Sequence, residues 1–160
     1  MNMKCTKKTM AVVAAISVLL MLAVPTWAAQ LKSPDNVKTA LRLLVQVSND
    51  FKRQITNKNF ARLPHEYMEY TEAADALRMG IKDEPADLKN KVEARLKTAV
   101  AAYQKITDMS AKETDPDKLM AEHAKAVMSM NAVFDLFPAD LRPDPNAPPP
   151  GGRRGGAGKQ

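Results

Sequence analysis

The chain has 160 residues with 24 basic against 18 acidic side chains, a formal charge of +6, a single cysteine and only 5% aromatic residues. One cysteine excludes an internal disulfide framework, and the length suits one domain with a core of its own. The basic excess sits at the two ends, leaving a near-neutral body, which argues against a nucleic-acid partner because that would need a concentrated basic face.

At the start, Lys4, Lys7 and Lys8 precede an apolar run from Met10 to Val24, and Thr26-Trp27-Ala28 offers small residues at a cleavage site. The run is shorter than the roughly 20 residues of a spanning helix. Residues 1–28 therefore read as a cleaved signal peptide and the destination as periplasmic or secreted. No membrane span is expected after cleavage. Cys5 leaves with the leader, so the mature protein is thiol-free and depends on packing alone.

Four dipeptides punctuate the chain beyond the leader: Ser33-Pro34, Leu63-Pro64, Glu84-Pro85 and Asp115-Pro116. Proline fits the first helical turn, where its missing N–H would go unpaired anyway, so each marks a helix start. Helix 1 is predicted over 34–57, with Val37, Leu41, Leu44, Ser48, Phe51 and Ile55 as its seam, Ser33 as its cap, and Asn57 and Asn59 to end it. Helix 2 is predicted over 64–79, lined by Leu63, Tyr67, Tyr70, Ala74 and Leu77 and closed by a Gly80 cap. Helix 3 is predicted over 85–109, with Leu88, Val92, Leu96, Ala99, Tyr103 and Ile106 inward. Helix 4 is predicted from Asp115 to Pro138, and its seam runs through Met120, His123, Val127, Met130, Phe134 and Phe137. No stretch alternates with period two, so no strand is expected. Short connectors predict an all-α, antiparallel up-down-up-down four-helix bundle over residues 29–143. Residues 144–160, rich in proline, glycine and arginine, read as a disordered tail that cannot bury a core.

His123 is the sharpest candidate for chemistry because it is the one imidazole on the helix 4 seam. With Met120 and Met130 it suits a soft metal such as copper, and with Met130 it suits haem iron. The plainer reading buries it against a tyrosine hydroxyl, from Tyr67, Tyr70 or Tyr103, with the methionines as core filling. His65 points away from the helix 2 seam, with Glu69 one turn on as a weak partner for a surface ion. Glu66, Glu69, Glu72 and Asp75 recur every three residues and read as a solvated face. No nucleophile elbow, phosphate loop or catalytic thiol occurs, and neither histidine follows a glutamate by three residues as a di-iron bundle requires. The chain is not expected to be an enzyme.

Four proline-started helices after an export leader, with Asp117-Lys118-Leu119-Met120-Ala121 opening the fourth, resemble the cytochrome c prime proteins and their b-type four-helix-bundle relatives. The likeness covers Pro34 to Phe137. It implies a bundle with a haem site near the end of helix 4, where the family carries Cys-x-x-Cys-His and this chain has Met130-Asn131-Ala132-Val133-Phe134. The b-type relatives ligate haem with a helix 1 Met, absent here, and a helix 4 His, for which His123 lies early. The resemblance therefore implies a scaffold whose cofactor space Met130, Val133 and Phe134 have filled. The reading is an exported, non-enzymatic binding or interaction module with no predicted cofactor, whose partner is a protein or small molecule. A homodimer through helix 1 is expected because Leu43 lies off the seam. Two alternatives stay open: a non-covalent haem electron-transfer protein, and a copper-binding protein using His123 with Met120 and Met130.

Overall fold

Proline and its neighbours set the helix starts. The computed structural model describes residues 31–143. The leader read at 1–28 and the tail read at 144–160 lie outside the described residues. Among the described residues there are four α-helices and no strand: α1 (Pro34–Thr56), α2 (Leu63–Gly80), α3 (Ala86–Ser110) and α4 (Pro116–Phe134), with one 3₁₀ turn at Phe60–Arg62. Pro34, Pro64 and Pro116 occupy first-turn positions, whereas Pro85 stands just outside α3 as its cap residue. The Asp115 carboxylate accepts the Asp117 N–H at 2.9 Å, as expected of a cap. Ser33 sits at the corresponding position before α1 but its side chain makes no capping bond. That end is held instead by Glu84, a buried carboxylate that accepts the Lys32 N–H at 2.6 Å.

The helix ends depart from expectation in three places. Lys58, not either flanking asparagine, takes the left-handed conformation after α1, with φ 56°. Its N–H reaches the Ile55 carbonyl and the Asn59 N–H reaches the Gln54 carbonyl, so two orphan carbonyls are satisfied in a Schellman arrangement. Gly80 is not a left-handed cap, because no glycine among the described residues has positive φ. It is the last residue of α2, and a Cβ there would lie 3.3 Å from the Val37 nitrogen. Gly80 thus marks a close approach between the end of α2 and the start of α1. Finally, α4 stops at Phe134 rather than running to Pro138. Residues before a proline disfavour the α conformation, and the last turn tightens into bonds from Leu136 to Val133 and Phe137 to Phe134.

Each helix buries one stripe, and together the stripes form a single apolar cluster. The stripes of α1 and α3 are those expected, residue for residue, with Ala40, Val47 and Gln54 also buried on α1. On α2 the buried line takes Glu66 in place of the expected Tyr67, and on α4 it takes Leu119 and Ala126 in place of Met120 and Val127. Met120, Val127 and Tyr67 pack half-buried at the cluster's edge. The core continues past α4 through Phe137 and Leu141. Arg142 folds that segment back by donating to the carbonyls of Phe137 and Asp135. α1 packs on α2 and on α4, and α3 packs on α2 and on α4, so the four helices close a ring of neighbours. No helix among the described residues is long and apolar enough to cross a membrane.

Candidate functional site

The seams of α1, α3 and α4 each carry one polar residue on an otherwise apolar line, and the fold brings these three together. Ser48 comes from α1, Tyr103 from α3 and His123 from α4. The Tyr103 hydroxyl donates to Ser48 Oγ at 2.6 Å. His123 Nε2 lies 2.9 Å from the Ser48 carbonyl and 3.3 Å from its hydroxyl oxygen. A carbonyl only accepts, so Nε2 carries the proton, and in the neutral ring Nδ1 keeps the lone pair. Met130 Sδ lies 3.9 Å from the Tyr103 hydroxyl as a second, weaker acceptor. Tyr103 stacks on Tyr70 with centroids 4.0 Å apart, packs against Phe51 at 4.9 Å and turns its edge to His123 at 6.0 Å. Every one of these residues is buried.

Burial sets the electrostatics of this junction. It pushes the Tyr103 phenol up, a shift the Ser48 hydrogen bond only partly opposes. It pushes Tyr70 up as well, reinforced by the neighbouring Tyr103. It holds the His123 imidazole below its ordinary value; the Ser48 carbonyl works against that shift and Lys52 adds to it. At neutral pH the junction therefore holds a neutral imidazole and two neutral phenols. The Tyr70 hydroxyl has no hydrogen-bond partner among the described residues.

Of the three residues expected at a metal or haem site, two meet here and one does not. His123 and Met130 join the junction through Ser48 and Tyr103, while Met120 stays at the edge of the core. His123 is bonded to Ser48 rather than directly to a tyrosine; Tyr103 lies one link further along. Met130, Val133 and Phe134, read as filling residues, are all buried.

A second cluster lies between α1 and α2. One carboxylate oxygen from each of Asp50, Glu66 and Glu69 falls within 4.8 Å of the others. Such oxygens suit a hard divalent cation. Each also has a protein partner: Arg53 at 2.7 Å from Asp50, Gln54 at 3.0 Å from Glu66, and His65 at 3.2 Å from Glu69. The expected pairing of His65 with Glu69 is present, and Asp50 is the member that sequence reading missed. Glu66 is 3% exposed, so the acidic row is not wholly a solvated face. Gln54 makes that burial tolerable by donating to one carboxylate oxygen, and Asn59 holds Gln54 in turn at 3.0 Å.

Comparison of the chain with family models, with curated proteins and with solved structures gives no match.

Proposed function

We propose that the chain is an exported, non-enzymatic binding or interaction module, built as an antiparallel up-down-up-down four-helix bundle of the cytochrome c prime kind with its cofactor space closed. The ring of neighbouring helices and the short connections between them support that arrangement. The observation that carries the functional reading is the Tyr103–Ser48–His123 junction. Its groups with chemical potential turn toward one another and are buried, so their hydrogen bonds serve the core rather than a substrate. Export rests on the leader pattern alone. The homodimer through α1 draws support from Leu43, 39% exposed on the outer side of that helix.

The visible spectrum and metal content of freshly purified protein, expressed with added haem, test this reading. Neither a Soret band nor stoichiometric copper is expected. A Soret band would replace the reading with haem electron transfer, and bound copper lost on His123→Ala would replace it with copper handling. Sedimentation at tens of micromolar is expected to give a dimer, and a monomer would remove that part.

A further inference from the structure

We propose that Met68, Met79 and Met128 are sacrificial oxidation sites for two-electron oxidants of the peroxide and hypohalous-acid class, and that they spare Met130 in the core. Methionine is usually a buried residue. Here it supplies three of the four large apolar side chains exposed among the described residues, at 56% for Met68, 64% for Met79 and 72% for Met128; Leu43 is the fourth. More than half of each residue's surface stays open to water. Within residues 31–143 all the sulfur is thioether, because no cysteine occurs there. Met128 also borders an open groove of about 290 Å³ between α3 and α4, with Arg95, Thr98, Ser129 and Ala132, which leaves a small oxidant a clear approach.

The chemistry closes on the side chain and the oxidant alone. A sulfur lone pair attacks one peroxide oxygen, an S–O bond forms as the O–O bond breaks, and the departing hydroxide leaves as water after proton transfer. Thioether becomes sulfoxide while the peroxide is reduced by the same two electrons. At an exposed position the new polar oxygen points into water and disturbs nothing. Met130 is the opposite case, two residues from Met128 on the same helix. It is 4% exposed and its sulfur faces the Tyr103 hydroxyl, so a sulfoxide there would place a bulkier, polar group inside the junction.

The test is a stepwise hydrogen peroxide titration of the full chain, with sulfoxides located by peptide mass spectrometry and a thermal melt at each step. Met68, Met79 and Met128 are expected to oxidise together, at least about ten-fold faster than Met130. The melting midpoint should hold until Met130 sulfoxide accumulates and then fall by about 5 °C or more. In the Met130→Leu chain it should hold at the peroxide doses that oxidise Met130 in the parent chain. Replacing the three exposed methionines by leucine should let Met130 oxidise at a lower peroxide dose. Equal rates at Met128 and Met130 in the folded chain would overturn the proposal. So would a loss of melting midpoint that tracks the exposed sulfoxides, or an unchanged Met130 dose response in the triple variant.

Discussion

The Tyr70 hydroxyl is fully buried without a partner among the described residues, beside a Tyr103 hydroxyl that has one. An unpaired buried donor loses its hydration and gains nothing, so Tyr70→Phe is expected to raise unfolding stability by about 1 kcal/mol, read by urea denaturation. A loss of similar size would show that the hydroxyl is bonded. His123 gives the acid-side counterpart. Its folded pKa lies below the unfolded value of 6.5, so the unfolded chain takes up the proton first. The stability tied to this group is therefore complete above 6.5 and is lost as pH falls from there through the folded pKa. Urea midpoints are expected to drop as pH falls below 6.5, and His123→Gln, which keeps an N–H for the Ser48 carbonyl, should flatten that part of the drop. Equal slopes in the two proteins would refute the assignment. Much of this junction was legible in sequence. Ser48 and His123 each stand as a polar residue on an apolar seam, and matched polar interruptions on separate seams are the signal that could have paired them. Tyr70 and Tyr103 were legible as seam residues too, but which hydroxyl finds a partner depends on where helix axes cross.

At the scale of the helix, the faces of α1 and α3 could be read directly because most of their large apolar residues fall on one stripe, Leu43 of α1 being an exception. The face of α4 reads one residue off at two points. Leu119 and Met120 are both apolar, as are Ala126 and Val127, so periodicity alone admits two lines through His123 and Met130. The fold buries Leu119 and Ala126, and the smaller Ala126 is the one that sits fully in the core. On α2, the burial of Glu66 depends on Gln54 arriving from α1, which no local pattern announces. The helix ends offer sharper tests. Lys58 holds a left-handed conformation that costs a residue with a Cβ about 1–2 kcal/mol. Part of this returns as glycine's larger entropy loss, so Lys58→Gly is expected to stabilise by about 0.5–1 kcal/mol and raise the thermal midpoint. No gain would mean that the Asn59–Gln54 contact depends on the lysine. At the other end of the chain, Arg95 donates to the Ala132 carbonyl near the C-terminus of α4, where helical carbonyls lack partners and the dipole favours a cation. Arg95→Met keeps the aliphatic stem and should cost about 0.5–1.5 kcal/mol in the same melt.

For the whole molecule, the distribution of contacts decides how it unfolds. The apolar cluster draws on all four helices and extends to Leu141, so no helix has a core of its own. Ion pairs between helices lie at the surface, as with Arg78 and Glu93 at 2.7 Å across α2 and α3. The Arg78 hydrogen bond pulls the Glu93 carboxyl down, yet exposed pairs of this sort add at most about 1 kcal/mol. Cohesion therefore comes from the shared core, and unfolding should be a single cooperative transition. The amino-terminal tie from Glu84 to Lys32 and the carboxy-terminal clasp of Arg142 both fall within residues 31–143. A chain trimmed to residues 31–143 is thus expected to keep its helical circular dichroism and melt in one step, with a midpoint within about 4 °C of the longer protein, the shift of roughly 1 kcal/mol. Trimming further to residue 136 removes Phe137, Leu141 and the Arg142 clasp, and should cost about 3–5 kcal/mol, as loss of a buried aromatic does. If the first truncation already collapses the fold, the core reaches beyond these residues; if the second changes nothing, the segment after α4 is not part of it.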